Sequence, residues 1–439
     1  MNLLIKGIDV VPSADAPVLR GADIGIAGDR ILFVRQDAGG GSGGEAPPPR
    51  DFRPDRVLDG SGRLAIPGLV NAHCHAAMTL LRGYADDLEL ETWLYEKIFP
   101  AEARMSDEDI YWGTTLGVAE MLRGGVTCFN DMYLKMENVA SAIRDAGIRA
   151  AVSIGPLLTE KRGDALVDTE GCKAFFKRWG GAAEGRLRVN MEIHSVFLYQ
   201  PETLIAGARL AKELGAAIHI HLLETATERR NMLEQRGKSS VFLAAGYGLL
   251  DVPVIAAHCV HADDDEIALL REKHVSVAHN PSSNLKLASG VAPITKMLKS
   301  GVNVCLGTDG AASNNTLDLF REMRLAALLH KGISGEPTAV TAAEAFRMAT
   351  RNGAEALGFS ETGGIEPGKK ADLAILSLDK PHLTPIYDHL SALVYAARAS
   401  DVETVIVDGK VLMENGALTT IDEEKAKYMV ARYAQKNMN

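Results

Sequence analysis

Hydrophobic and polar positions along the chain follow two different rhythms. Over roughly the first 65 residues, apolar side chains alternate with polar ones between Gly, Asp and Pro punctuation, which is the period of a strand. The strands predicted there are Asn2–Val11, Ala22–Ala27, Arg30–Val34 and Arg56–Asp59. From Leu64 the rhythm changes: short apolar runs alternate with longer stretches of helical period, such as Ser106–Arg123, Val139–Ala146 and Pro201–Leu214. That alternation predicts βα units and a parallel sheet. Its eight strands are Gly68–His73, Val126–Asp131, Ala150–Ile154, Arg188–His194, Ala217–His221, Val254–His258, Val275–His279 and Val302–Thr308. Beyond about Gly368 strand signals return at Ala371–Leu376, Thr404–Val407 and Lys410–Glu414, around the turn Asp408–Gly409, before a charged helix over Glu423–Lys436. The expected fold is α/β: a (β/α)8 TIM-like barrel over residues 65–367, with a small β-sandwich domain built from both chain ends, residues 1–64 and 368–439.

Composition narrows the class. With 439 residues, 46% hydrophobic and 24% charged, the chain suits a soluble barrel plus a smaller domain. Ala38–Pro54 is rich in Gly and Pro and reads as a flexible surface loop. The N-terminal MNLLIKGIDVV has no secretory-signal pattern, and no apolar run approaches the roughly 18 residues of a membrane span. Five cysteines, with no C-x-x-C pair, predict neither a disulfide framework nor a thiolate metal site, and fit a reducing cytoplasm. A net charge of −10 without a basic stripe argues against a nucleic-acid partner. The expected partner is a small molecule, with no membrane or nucleic acid, and a homo-oligomer is compatible.

Chemistry concentrates at the predicted strand ends, where barrel active sites form. The first strand runs into His73-Cys74-His75, the fourth ends in His194, and the fifth in His219 and His221. The sixth ends in His258, the seventh in His279, and Asp309 follows the eighth. In extended backbone, residues i and i+2 share a face, so His73 and His75 can converge on one ion. With His221 and Asp309 they form a metal-ligand set suited to Zn²⁺ or Fe²⁺. His219 shares the H-x-H spacing with His221; the metal is assigned to His221 and a packing or supporting role to His219. Asp309 is read as ligand and proton acceptor rather than helix cap, because Ser313, Asn314 and Asn315 are available for capping. Glu224, three residues past His221, can reach a bound substrate, and His258 can orient a water. Cys74 and Cys259 alternate away from the site and read as small apolar fillers.

These segments carry a resemblance. PGLVNAHCHAAMTLLRG, HLLET, AAHCVH, HNPSSNLKL and LGTDGAASNN resemble the amidohydrolase superfamily, in the branch of the 5-methylthioadenosine/S-adenosylhomocysteine deaminases and the chlorotriazine hydrolases. The similarity runs from about Leu3 to about Glu423. It implies one divalent metal ion on His73, His75, His221 and Asp309. It implies Glu224 as the proton-transfer group, His258 as the holder of the attacking water, Glu102 on ribose hydroxyls and His194 on the substrate. Two positions depart from the pattern. The arginine common at the end of the third strand is Ile154 here, and a Gly-Pro-His-x-Pro-Tyr segment is replaced by Glu192-Ile193-His194-Ser195-Val196-Phe197. Lys161 and Arg162 are candidates to supply the missing charge.

The implied activity is metal-dependent hydrolytic deamination of an adenosine-type nucleoside, releasing ammonia. The alternative is a hydrolase of the same superfamily acting on a triazine, a guanine or pterin ring, or another aminated heterocycle. A catalytically silent scaffold is disfavoured because every principal residue is present. A cytidine-deaminase-type zinc site is excluded, since it needs an H-x-E plus P-C-x-x-C signature that the chain lacks.

Overall fold

The structure, a computed structural model, describes residues 1–36, 51–156 and 167–437. Most of the Gly/Pro-rich segment, together with Lys161 and Arg162, lies outside the described residues. Five strands come first: β1 (Asn2–Val10), β2 (Leu19–Ala27), β3 (Arg30–Gln36), β4 (Arg56–Asp59) and β5 (Arg63–Pro67). Next come β6 (Leu69–His75), β7 (Val126–Met132), β8 (Arg149–Ile154), β9 (Leu187–Ser195), β10 (Ile218–Leu222), β11 (Val254–His258), β12 (Ser276–His279), β13 (Asn303–Leu306) and β14 (Asp309–Gly310). The last four are β15 (Leu373–Ser377), β16 (Val402–Val407), β17 (Lys410–Glu414) and β18 (Ala417–Leu418).

Strands from the two chain ends form one mixed sheet of nine strands, ordered β18-β17-β16-β15-β5-β1-β2-β3, with β4 on β1. Alternation in β1 sends Leu3, Ile5, Ile8 and Val10 inward, where they pack with Ile24, Ile26, Leu373, Ile375 and Ile406. The strand that joins the two ends, β5, escaped the sequence reading. It pairs parallel with β1 and antiparallel with β15. Only five residues long and one residue from β6, it has no pattern of its own to separate it from the run that follows.

The second sheet also has nine strands, ordered β13-β12-β11-β10-β9-β8-β7-β6-β14, with parallel registers. Its strands β6, β7, β10 and β11 are buried at every position, as strands of a parallel sheet covered on both faces are. The eighth strand expected over Val302–Thr308 stops at Leu306, and a second short piece, β14, follows beyond the expected end. β13 pairs with β12, and β14 pairs with β6 at the other end of the order. The break falls at Gly307-Thr308. The Thr308 N–H donates to the Asn71 side chain at 3.0 Å, and the Asn71 amide returns a bond to the Thr308 hydroxyl at 2.7 Å.

Two compact units can be distinguished. One comprises Met1–Val70, Ala119–Cys128 and Asp318–Ile421, and contains the mixed sheet. The other comprises Asn71–Val118, Phe129–Leu317 and Asp422–Asn439, and contains every site residue considered below. Among the described residues, no helix is long and apolar enough to cross a membrane.

Candidate metal and catalytic centre

The strand-end histidines do converge. Potential ligand atoms of His73, His75 and His221 lie within 4.8 Å of one another, as do those of His73, His258 and Asp309. Nε2 of His75 lies 3.4 Å from Nε2 of His221, and the Asp309 Oδ1 atom lies 3.3 Å from His73 Nε2 and 3.2 Å from His75 Nε2. Extended backbone at His73 and His75 puts both rings on one side, as their i, i+2 spacing requires. Gly307 and Gly310 let the last segment approach them. A Cβ on Gly307 would sit 2.9 Å from the His73 carbonyl oxygen, and one on Gly310 would sit 3.3 Å from His75 Cβ.

The far side of each group is already engaged. His73 Nδ1 lies 2.8 Å from His219 Nε2, and His219 Nδ1 lies 3.0 Å from Ser153 Oγ. His75 Nδ1 is bonded to the Met132 carbonyl, and His221 Nδ1 to the His194 carbonyl at 2.7 Å. A carbonyl only accepts, so both of these Nδ1 atoms carry a proton and both Nε2 atoms face the centre. Asp309 accepts the Ser283 and Ser313 hydroxyls on Oδ2, at 2.6 and 2.8 Å, leaving Oδ1 for the centre. His73 Nε2 is buried with no hydrogen-bond partner. Oriented imidazoles and a carboxylate oxygen directed at one point make a donor set that fits a divalent cation.

Electrostatics separates the groups. Burial holds His219 and His221 well below the usual histidine range, and His73 down at about 4. Those shifts favour the neutral ring, the form in which a histidine can ligate a metal. Burial also works against protonated His75, but the hydrogen bond and charge of Asp309, with the Met132 carbonyl and the Asp131 charge, together outweigh it and raise His75 to about 9. Asp309 stays well below the carboxylate range, because its contacts with His73 and His75 overcome its burial. Glu224 is pushed up by burial, and Glu102 rises to about 7 for the same reason. The backbone is strained at these points too: His258 (φ 74°), Asp309 (φ 60°) and Leu223 (φ 50°) all occupy the left-handed region.

A cavity of about 830 Å³ opens above the centre. Its floor includes His75, His221, His258, Glu224 and Asp309; Glu102, Glu192 and His194 stand in its wall. His194 Nδ1 is buried without a hydrogen-bond partner among the described residues, and it belongs to the cavity lining. The outer wall is apolar, with Trp93, Leu94, Phe99, Ile154, Phe175 and Leu287. Every residue singled out for the site thus borders one space or its ligand cluster. His279 does not line the cavity, although it is fully buried at the end of β12.

Sequence reading missed the supporting groups. Ser283 and Asn284, the latter 2.8 Å from His258 Nδ1, lie inside HNPSSNLKL, and Ser313 lies inside LGTDGAASNN. The capping role proposed for Ser313 to Asn315 is corrected. The next helix starts at Leu319 and is capped by Asp318, while Ser313 bonds Asp309. Polar residues four or five positions past the strand-end residues His279 and Asp309 were the available signal.

A sequence model of the amidohydrolase family matches residues 64–412, and the chain belongs to that family. Among its relatives, a 5-methylthioadenosine/S-adenosylhomocysteine deaminase from Acetivibrio thermocellus is 48% identical over 440 residues, covering 99% of both chains. A crystal structure of an adenosine deaminase from Xanthomonas campestris with bound zinc is similar at TM-score 0.91 and 33% identity, covering 99% of this chain and 98% of that one. A zinc complex of an atrazine chlorohydrolase from Arthrobacter aurescens is similar at TM-score 0.90 and 26% identity, covering 98% and 100%.

Proposed function

We propose that the chain is a metal-dependent aminohydrolase that deaminates an adenosine-type nucleoside (5-methylthioadenosine, S-adenosylhomocysteine or an adenosine-like compound) to the inosine-type product and ammonia. The observation that carries the reading is the convergence of three imidazole Nε2 atoms and one carboxylate oxygen beneath a cavity that also holds Glu224. Relatives named as deaminases over nearly the whole chain support it. In the same reading the parallel sheet is a (β/α)8-type barrel over residues 65–367, and residues 1–64 and 368–439 form the composite β domain. That the two ends of the sheet order, β13 and β14, belong to one segment supports closure.

His73, His75, His221 and Asp309 would hold one divalent ion, zinc or ferrous iron. When bound, such an ion supplies Lewis acidity and lowers the pKa of a bound water towards about 7. Asp309, kept ionised, and His258, its Nδ1 fixed by Asn284, orient the attacking water and accept its proton. Glu224, whose affinity for a proton is raised by burial, donates to the ring nitrogen next to the amine-bearing carbon. Water adds at that carbon, the amine takes up the proton held by Asp309 or His258 and leaves as ammonia, and the hydroxyl proton of the adduct returns to Glu224 as the carbonyl forms. Glu102 binds the ribose hydroxyls, and His194 offers its unpartnered Nδ1 to the substrate.

The alternative substrate, a triazine or other bare aminated ring, is favoured by the likeness to the chlorohydrolase. Two variants test both layers by ammonia release. Glu224→Gln should keep its metal and lose about 10²–10⁴-fold in turnover; near-full activity would refute the proton path. Glu102→Gln should raise KM about 10-fold or more for nucleosides and leave a bare aminopurine unaffected; an equal effect on both would refute ribose recognition.

A further inference from the structure

Glu224 does not reach the cavity from a regular element. It sits between the end of β10 at Leu222 and a helix that begins at Ala226, and the turn is made by Leu223 in the left-handed region at φ 50°. A leucine in that conformation is strained, and it persists only where the surroundings hold it. The holding group is another carboxylate. Glu228 Oε1 accepts the Leu223 N–H at 3.0 Å, and Glu228 Oε2 accepts the Glu224 N–H at 2.9 Å. The Ser240 hydroxyl also donates to Oε1, and the Glu228 side chain is buried.

Helix-start chemistry explains why this residue can do so. Thr225 caps the helix, its hydroxyl accepting the Glu228 N–H at 3.0 Å, so Glu228 stands at the third helical position. A glutamate there ordinarily reaches back to the backbone of the capping residue. Here it reaches one and two residues further, to the segment that carries Glu224. A carboxylate at this position also faces the positive end of the helix dipole. Loss of either oxygen would leave a buried or half-buried N–H unpaired and release Leu223 from its strained turn.

We propose that Glu228 is a positioning residue for Glu224: its carboxylate clamps the Leu223-Glu224 backbone so that the Glu224 side chain meets the substrate ring. The proposal rests on the deaminase reading above, in which Glu224 moves the proton. It assigns to the second glutamate of HLLETATE a task distinct from substrate contact, since Glu228 does not line the cavity.

The test is a mutant cycle on the full-length, zinc-loaded protein with 5-methylthioadenosine, reading ammonia release and metal content. Glu228→Gln keeps the shape and removes one acceptor. It should lower kcat about 10- to 100-fold, with KM within about 3-fold of the parent and one metal per chain retained. In the Glu224→Gln background the same substitution should have no further effect, because a residue acting only through Glu224 is silent once Glu224 is disabled. Ser240→Ala, a gentler change, should cost a few-fold in kcat and also vanish in that background. If the losses multiply in the double variants, or if Glu228→Gln retains full kcat, the clamp is refuted. Full activity in Glu224→Gln alone would instead refute the proton path of the parent reading, and the clamp with it.

Discussion

The relay beneath His73 allows a prediction that separates support of the metal from the chemistry. Replacing His219 with Phe keeps a ring of similar size in a fully buried site but removes both nitrogens. Two bonds are lost: the 2.8 Å contact with His73 Nδ1 and the 3.0 Å contact with Ser153 Oγ. If His73 binds metal through Nε2, its Nδ1 carries a proton that His219 Nε2 accepts. In the variant that N–H is buried without a partner, which costs about 1–3 kcal/mol. The penalty falls on the tautomer that binds metal, so it appears as weakened affinity. Loss of such an outer partner lowers metal affinity about 10- to 100-fold, or ~1.4–2.7 kcal/mol, in agreement with that range. The assay is competition for zinc against a chromophoric chelator, followed by kcat at saturating zinc. Expected are a dissociation constant raised about 10- to 100-fold and a kcat within a few-fold of the parent. Unchanged affinity would reduce His219 to a packing residue. A collapse of kcat at full metal occupancy would mean that it takes part in the reaction, and would refute the argument.

Gly307→Ala places a methyl group 2.3 Å from Asn280 Oδ1 and 2.9 Å from the His73 carbonyl, so thermal unfolding should show about 1–3 kcal/mol of destabilisation and zinc titration a weaker site; a parent-like melting temperature would contradict the close approach. Glu192, raised to about 8 by burial, is protonated in the folded protein and ionised in the unfolded one near neutral pH, so its contribution to stability is lost as pH rises towards 8. Glu192→Gln should therefore gain ~1–2 kcal/mol relative to the parent between pH 6 and pH 8 in metal-free denaturant unfolding; a pH-independent difference would refute that assignment.

Much of the site was legible because its signals are local. His73 and His75 share a face through spacing alone, and the other candidate ligands announce themselves as polar residues closing apolar runs. The departures at Ile154 and Glu192 were legible too, and both line the cavity. What escaped were groups whose role depends on distant partners. Nothing near Ser153 points to His219, 66 residues away, and nothing near Ser240 points to Glu228.

The sequence by itself determined the alternation of strands and helices, the types of the candidate ligands, and the glutamate three residues beyond His221, because periodicity and spacing are properties of the chain alone. Only the tertiary structure decided that the last strand breaks at Gly307-Thr308 to reach both ends of the sheet order. It alone decided which nitrogen of each histidine faces the centre, and that β5 joins the two chain ends. Those outcomes depend on hydrogen-bond partners and close approaches between segments far apart in sequence, which no local pattern encodes.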